Sequence, residues 1–354
     1  MAEEVDRDRV LAYRVASHQF DRGSTDLRVF DLGVQDSERS AAAALAARLA
    51  DDPDTGGYPT TWTVRGAPHL HRTADLPALA ARLWPLDDAD AMTRMSRPRG
   101  VESGLAALTA VASALREVVT SPMTKGEASG LVTPLVPPEV TAWCRGCDAT
   151  HVQDPVFRLA VLPAGLVFDP AEKTVTFVPT SPWPGVPTAT AGFEDLVLAY
   201  LRLHGPAGPS EVAGYFGTTA TAVKQVWPSD DLVEVRVAGK KAWLPADRVS
   251  ALLDAPDPDV VRLLPPLDPY LQARDRDLLV PDKAHQKEVW RILGRRGAIM
   301  VDGEITGTWQ AKASGKRLDV TLRPFGEPPP PAVEDEAQRL AAVRGLASAK
   351  VVTA

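Results

Sequence analysis

The apolar positions near the start of the chain predict two helices. Apolar residues recur along one side of residues 6–20, and this spacing is typical of an amphipathic helix. Residues 38–49 are rich in alanine and favour a second helix. The stretch LGVQDS lies between the two segments, so Gln35, Asp36 and Ser37 stand at the predicted start of the second helix. Asp36 or Ser37 is suited to accept a hydrogen bond from the first helical turn, as N-cap residues do.

Alternation and capping signals predict further elements. Trp62, Val64 and Leu70 alternate with polar residues and predict a short strand that leads into a polar corner. Thr124 and Glu127 have the three-residue offset of a capping box. Helical spacing marks four further segments, which are residues 76–84, 105–119, 283–293 and 334–346.

A winged helix is predicted in the middle of the chain. Residues 193–204 and 219–227 have helical spacing, and a further helix begins at Ser210 between them. Two alternating strands follow around the tight turn Ala238-Gly239. The order of three helices and a hairpin is that of a winged helix.

The remaining C-terminal pattern predicts a connector and a small β unit. Residues 252–270 are rich in proline and predict a rigid connector. Two strands are expected around Asp302-Gly303, and a third is expected at residues 316–325.

The predicted fold class is α+β and mainly α, with tandem winged-helix units and a small β unit near the C-terminus. Four consecutive domains are expected. They are an N-terminal helical or winged-helix unit with the GVQDS motif (1–100), a second winged-helix-like unit with a Cys-x-x-Cys pair (101–190), a winged helix (191–255), and a β unit with a basic segment and a C-terminal helix (256–354).

Composition narrows the class of protein. The chain has 354 residues, of which 45% are hydrophobic and 24% charged, a balance typical of a folded globular protein. The first ten residues are charged and lack the pattern of a secretion signal. The longest apolar run, residues 41–50, contains Arg48 and is far shorter than the ~20 residues that span a bilayer. We therefore expect a cytoplasmic protein without a membrane partner.

Local charge indicates a surface for DNA. The net charge is −7, yet residues 273–296 carry seven basic and four acidic side chains. Clustered lysine and arginine neutralise phosphates and release counterions, although a solvated surface helix explains the same residues. Asp275 and Asp277 are expected to orient the neighbouring arginines. The candidate DNA contacts in this part of the chain are Arg274, Arg276, Lys283, His285 and Lys287, followed by Lys312, Lys316 and Arg317.

The two cysteines of the chain have the spacing of half a zinc site. Cys144 and Cys147 are followed by His151, and thiolate and imidazole are common zinc ligands. Asp148 or a distant residue is needed as the fourth ligand of a closed site. The alternatives are a buried pair or a redox-labile pair. No nucleotide-binding motif is found in the sequence, so no cofactor other than a structural zinc is expected.

Four sequence blocks carry a resemblance to a known family. They are LGVQDS before the alanine-rich helix, TWTVRGAPHL, LLPPLDPYLQARDRDLLVPDKAHQKEVW and MVDGEITGTW. Together they resemble the bacterial winged-helix DNA glycosylases of the AlkZ/YcaQ type over residues 11–346. The resemblance implies tandem winged helices and a small β unit around a channel for duplex DNA. It also implies excision of alkylated purines, which in some members include bulky or crosslinked adducts.

The resemblance also implies an active site. The family carries a Gln-x-Gln or Gln-x-Asp motif. Gln35 matches its first position, and Ser37 departs from both forms of the second. The hypothesis is a glycosylase in which Gln35 positions water, Asp36 or Ser37 assists, and Arg65 and His69 lie nearby at the DNA. The alternatives are a structural His69 and, for the whole chain, a non-catalytic winged-helix DNA-binding protein or regulator. Protein partners are not indicated.

Overall fold

The computed structural model describes residues 3–37 and 40–354. Glu38 and Arg39, at the start of the second predicted helix, lie outside the described residues. The described α-helices are α1 (Arg7–Ser17), α2 (Ala41–Ala46), α3 (Leu76–Arg82), α4 (Asp88–Arg94), α5 (Gly104–Val118), α6 (Lys125–Val132), α7 (Asp154–Val161), α8 (Phe193–His204), α9 (Pro209–Phe216), α10 (Ala220–Gln225), α11 (Val249–Leu253), α12 (Arg276–Leu279), α13 (Lys283–Val289) and α14 (Val333–Val343).

Strands occur along the whole chain and confirm the α+β class. They are β1 (Glu3–Val5), β2 (Val34–Gln35), β3 (Thr60–Trp62), β4 (Pro68–Leu70), β5 (Met123–Thr124), β6 (Thr141–Cys144), β7 (Ala149–Val152), β8 (Leu166–Phe168), β9 (Thr176–Pro179), β10 (Leu232–Val237), β11 (Lys240–Pro245), β12 (Val261–Leu264), β13 (Gly297–Val301), β14 (Glu304–Ser314), β15 (Arg317–Pro324) and β16 (Ser348–Thr353).

The chain forms two compact units. The first unit contains the described residues of Met1–Thr55, Leu198–Glu211 and Pro228–Ala354, and the second contains Gly56–Val197 and Val212–Trp227. This division does not test the four consecutive domains expected from the sequence, which stay a prediction. No helix among the described residues is both long and apolar enough to cross a membrane.

The first unit is built on a five-stranded sheet with the order β12-β13-β14-β15-β16. The pair β15–β16 is parallel, and the other neighbours are antiparallel. Successive residues of a strand point to opposite faces. Accordingly, Ile299 of β13 packs in a cluster with Leu340 of α14, whereas Met300 packs in another cluster with Leu11 of α1. A smaller sheet of the same unit has the order β1-β10-β11.

The second unit has a mainly helical core. Val111 and Leu115 of α5 lie in one buried cluster with Phe157 of α7 and Phe177 of β9. The three-stranded sheet β5-β9-β8 adjoins this core. The capping box of α6 is present as predicted, with Thr124 as N-cap. The antiparallel hairpin β6–β7 carries the two cysteines near its turn.

The predicted connector and the ends of several predicted helices need correction. Helix α13 ends at Val289 rather than residue 293, and α14 ends at Val343 rather than residue 346. The proline-rich residues 252–270 are not merely a rigid connector, because β12 lies within them and pairs with β13. Helix α2 ends at Ala46, before the predicted residue 49. The Arg48 side chain donates to the carbonyl of Ala44 at 2.6 Å, while the Arg48 amide bonds to Leu45 instead. This exchange ends the regular helical pattern early.

The elements of the predicted winged helix are present in the expected order. Helices α8, α9 and α10 precede the antiparallel pair β10–β11, whose turn is Ala238-Gly239. Both turn residues have positive φ, 48° and 74°, as a tight type I′ turn requires. The sequence of elements is therefore confirmed, and their assembly as a winged helix stays a prediction.

Candidate active site and DNA-contact residues

Gln35 lies at the end of a short strand just before α2. Gly33 has a φ of 85°, a conformation that glycine adopts without a steric penalty, and it turns the chain into β2. Gln35 is 7% exposed. The motif therefore holds its glutamine in a nearly enclosed position.

Contacts on both sides fix the amide of Gln35. Gln272 Nε2 donates to Gln35 Oε1 at 2.8 Å and to the carbonyl of Leu267 at 3.1 Å. A carbonyl only accepts, so the Leu267 contact determines which end of the Gln272 amide is the nitrogen. Gln35 must then present its oxygen to Gln272, and its nitrogen donates to Ser37 Oγ at 3.0 Å. Such linked hydrogen bonds polarise and strengthen one another.

Asp36 of the motif and the nearby Ser40 make hydrogen bonds at the start of α2. Asp36 Oδ1 accepts from the Ala41 amide at 3.0 Å. Ser40 Oγ donates to the carbonyl of Gln35 at 3.2 Å. Asp36 thus accepts from the first helical amide as predicted, but the N-cap residue of α2 is Ser40, whose side chain makes no capping hydrogen bond, and Ser37 contacts Gln35. A catalytic role for Asp36 stays a prediction.

A buried ion pair holds the segment that carries Gln272. Both oxygens of Asp268 accept from Arg48, at 2.7 and 2.9 Å, and both side chains are 0% exposed. Asp268 also accepts from the amide of Tyr270 at 2.9 Å. The Arg48 guanidinium lies 4.4 Å from the ring centre of Phe20. The loop before Gln272 is consequently fixed at several points.

The candidate DNA contacts at residues 274–287 differ in their exposure and in the groups that they contact. Arg276 is exposed and its guanidinium lies 4.7 Å from the ring centre of Trp290. Lys287 is exposed on α13. Lys283 forms an ion pair with Asp277. His285 stacks on Phe325 with the ring centres 3.9 Å apart. Arg276 and Lys287 are therefore the better placed of these residues for a phosphate.

Asp275 does not orient the neighbouring arginines as expected. It forms a two-point ion pair with Arg14 of α1, at 2.5 and 3.1 Å. Arg14 is 1% exposed, and an unpaired buried charge is strongly destabilising. Asp275 is thus a structural partner of α1. Arg274 is half-buried, and its amide donates to the Tyr200 hydroxyl at 3.2 Å.

A second group of basic residues lies at the far end of the β14–β15 hairpin. Lys312, Lys316 and Arg317 are all exposed. Ser314 and Arg317 are the last paired residues before the turn. Arg317 pairs with Asp319 at 2.7 Å. The two lysines thus extend basic character to the tip of this hairpin.

In the second unit, Arg65 and His69 have different surroundings. Arg65 is exposed, has a φ of 56° and donates to the carbonyl of Tyr215 at 2.7 Å. His69 is 1% exposed and contacts Thr63 and the carbonyl of Ala67, both at 2.9 Å. Burial lowers the pKa of His69 to about 4. The predicted DNA contact by His69 does not fit this burial, and its structural alternative does.

The cysteine pair and His151 lie together at the turn of the β6–β7 hairpin. One ligand atom from each of Cys144, Cys147 and His151 lies within 4.8 Å of the other two. A hydrogen bond with His151 lowers the pKa of the Cys144 thiol to about 7. Among the described residues, this cluster does not include Asp148, the fourth ligand suggested by the sequence.

Comparisons with known proteins identify the family. The family model described as DNA glycosylase AlkZ-like matches residues 31–343. The chain belongs to this family. A curated relative from Streptomyces sahachiroi, named interstrand DNA cross-link repair glycosylase, is 29% identical over 174 residues. The matched part spans 46% of this chain and 46% of that relative.

A solved structure agrees with the family match. Streptomyces sahachiroi DNA glycosylase AlkZ is 22% identical, with a TM-score of 0.76 over 99% of this chain and 100% of that one. At this identity the likeness shows a shared fold. The AlkZ-like resemblance inferred from the sequence is confirmed by the family match.

Sequence reasoning missed three residues around the AlkZ-like motif. Gln272 contacts Gln35, and Arg48 and Asp268 hold the loop before Gln272. A signal was present for Arg48, because a charged residue in an otherwise apolar run requires a partner when it is buried. The choice of Asp268 among 46 acidic residues required the tertiary structure.

Proposed function

We propose that this AlkZ-like protein is a DNA glycosylase that hydrolyses the N-glycosidic bond of alkylated purines in duplex DNA. The observation that carries the proposal is the fixed amide of Gln35, held by Gln272 on one side and Ser37 on the other. The family match over residues 31–343 includes all three residues. A helix-capping role alone does not explain a buried contact between residues 35 and 272.

The chemistry needs an oriented polar group more than a strong acid. Cleavage of an N-glycosidic bond develops positive charge at the sugar carbon C1′, and fixed dipoles stabilise such charge. A purine alkylated on a ring nitrogen is cationic and leaves readily. The remaining requirement is a water molecule held for attack. An amide has two N–H donors and two oxygen lone pairs, and the contacts of Gln35 with Gln272 and Ser37 use one of each.

Ser37 contributes a hydroxyl where the family motif has an amide or a carboxylate. As the acceptor for Gln35 Nε2, its oxygen is available to orient water, and its proton is directed away from Gln35. Ser37 provides no negative charge for the developing cation. We therefore propose that cationic lesions are excised and that neutral purines are poor substrates.

The test measures abasic sites in duplex DNA with one N-methylated, cationic purine. Wild type is expected to release the base, and Gln35→Ala is expected to release it at least ~10²-fold more slowly, as when a proton-transfer or water-orienting group is removed. Gln338→Ala is the matched control and removes an exposed glutamine of α14 whose side chain bonds to the Ala349 backbone. A duplex with an interstrand crosslink forms a second arm, because the curated relative is named for crosslink repair.

Ser37→Ala separates catalysis from capping in the same assay. The Ala41 amide bonds to Asp36, and the contact of Gln35 with Ser37 is only partly buried, so water can replace the lost acceptor. The loss of Ser37 should therefore change the melting temperature little and lower excision. DNA binding by wild type without abasic sites on any alkylated duplex would contradict the glycosylase proposal. That outcome favours the non-catalytic DNA-binding alternative.

We further propose that Arg276 and Lys287 contact the phosphates of the substrate duplex. Both are exposed in the first unit, which also contains Gln35. Lys312 and Lys316, and Arg65 in the second unit, are secondary candidates because they are also exposed. Phosphate contacts of this kind supply affinity that does not depend on base sequence.

A further inference from the structure

We propose that Cys144, Cys147 and His151 bind one zinc ion per chain at the turn of the β6–β7 hairpin. The two thiolates and one imidazole are supplied by twelve residues of the hairpin, Thr141–Cys144, Ala149–Val152 and the turn between them. The proposal does not depend on glycosylase activity, because it is argued only from the positions of these three side chains.

The pairing of the hairpin brings the three side chains to one side. Cys144 lies opposite Ala149, and Ala142 lies opposite His151. Residues directly opposite, and those two apart on one strand, share a face of a hairpin. Cys144 and His151 are therefore diagonal neighbours on the same face. Trp143, the neighbour of Cys144 on β6, belongs to the other face and is 63% exposed.

The turn returns the second sulfur to this face. The Cys147 amide donates to the carbonyl of Cys144 at 3.2 Å, and Asp148 has a φ of 50°. The ligand atoms of the cluster lie within 4.8 Å of one another. Tetrahedral zinc with bonds of about 2.0–2.3 Å separates its ligand atoms by about 3.5–3.8 Å. Rotations of these three partly exposed side chains suffice to bring the ligand atoms from their present separations to those of a tetrahedral zinc site.

A hydrogen bond selects the nitrogen of His151 that faces the metal. Nδ1 lies 2.8 Å from the carbonyl of Val152. Because the carbonyl only accepts, Nδ1 carries the proton and Nε2 presents its lone pair. Zinc-ligating histidines typically donate their second nitrogen to a carbonyl or carboxylate in this way. This arrangement is the second observation, besides ligand proximity, that favours a metal.

The expected site has three protein ligands and one water molecule. Binding releases the protons of the two thiols, since zinc takes thiolates, and no oxidant or reductant takes part. Val140 and Val152 anchor the base of the hairpin in the core, each 1% exposed, whereas residues 145–150 are exposed. An isolated two-stranded hairpin is only marginally stable. The metal would hold the exposed end of the hairpin in place.

The experiment titrates metal-free protein with Co²⁺ and then with Zn²⁺, in the presence of a phosphine that keeps the thiols reduced. Wild type is expected to bind one equivalent of Co²⁺ with a thiolate-to-cobalt charge-transfer band that Zn²⁺ abolishes. Cys147→Ser and His151→Asn should each weaken binding by more than ~100-fold, beyond the range for changes in outer-shell partners. His285→Asn, which changes a histidine of the first unit, is the control and should bind as wild type does.

Hydrogen exchange provides a second readout. Zinc should slow amide exchange in Thr141–Val152 and leave the rates in α5 unchanged. The proposal is overturned if wild type and the double variant Cys144→Ser/Cys147→Ser bind Co²⁺ equally weakly and without a charge-transfer band. Circular dichroism of each variant checks that a loss of metal binding does not come from misfolding.

Discussion

Gln272→Met removes the hydrogen bond that orients Gln35 while it keeps a side chain of similar length. Gln272 is 7% exposed, and its contact with Gln35 is buried. A buried acceptor left without a partner costs about 1–3 kcal/mol, and this is the expected loss in the free energy of unfolding. The contact with the half-buried Leu267 carbonyl should add less, because water can replace the lost donor there.

The same substitution should lower catalysis more than DNA binding. Without Gln272, the Gln35 amide can rotate and exchange its oxygen and nitrogen. If the correct orientation is worth about 1–2 kcal/mol of barrier, excision slows by about 5- to 30-fold, at 1.36 kcal/mol per factor of ten. The dissociation constant for the duplex should stay within about twofold, because Gln272 is enclosed in the protein.

Single-turnover excision and fluorescence anisotropy separate these two effects. Both are measured at a temperature where wild type and variant are folded, with Gln338→Met as the surface control. A second variant, Gln272→Glu, places a group that only accepts hydrogen bonds next to Gln35. The Gln35 amide should then rotate so that its nitrogen and oxygen exchange positions. Excision by Gln272→Met at the wild-type rate, despite reduced stability, would refute the positioning role and leave Gln272 a purely structural residue.

Two further predictions concern acid stability and DNA binding. Burial lowers the pKa of His69 to about 4 and that of His71 to about 3. The unfolded chain takes up protons near pH 6.5, so stability falls as the pH drops below that value, by ~2 kcal/mol for His69 between pH 7 and 5. Denaturant titrations of His69→Asn should show a shallower pH dependence than wild type, and an equal slope would exclude His69 as the cause. Arg276→Ala and Lys287→Ala should each flatten the dependence of log affinity on log salt by about one unit, with the exposed Lys173→Ala as control. Unchanged slopes in the double variant would place the DNA surface elsewhere.

Local signals predicted most helices and hairpins, because they depend on residues close in sequence. The capping box at Thr124 and the turn Ala238-Gly239 were both readable in this way. The strands β12 and β16 were not, since each is defined by pairing with a strand distant in sequence. Proline residues on both sides of β12 gave a stronger local signal than its four apolar or basic residues, Val261–Leu264.

The candidate site, like the fold, was predictable only where the signal is local in sequence or where the family resemblance covers it. The family resemblance located Gln35, and capping rules identified Asp36 as an acceptor for the first turn of α2. The partner of Gln35 could not be found, because Gln272 is 237 residues away and lies in a block whose charged residues pointed to DNA. Likewise, the pairing of Asp275 with Arg14 depends on the packing of α1.

The buried ion pair of Arg48 and Asp268 holds the block LLPPLDPYLQ beside the motif. Replacing such a pair by apolar residues is often neutral or stabilising, so its presence is weak evidence for a gain in stability. The geometry of the ion pair explains its presence better than a gain in stability does. Arg48 follows α2, which begins at Ala41, four residues after Ser37, and Asp268 lies four residues before Gln272. A planar guanidinium gripping both oxygens of one carboxylate fixes direction as well as distance. The pair thereby fixes the position and orientation of the Gln272 segment relative to the Gln35 segment. A hydrophobic contact between the same positions has no preferred direction and would fix the orientation less well.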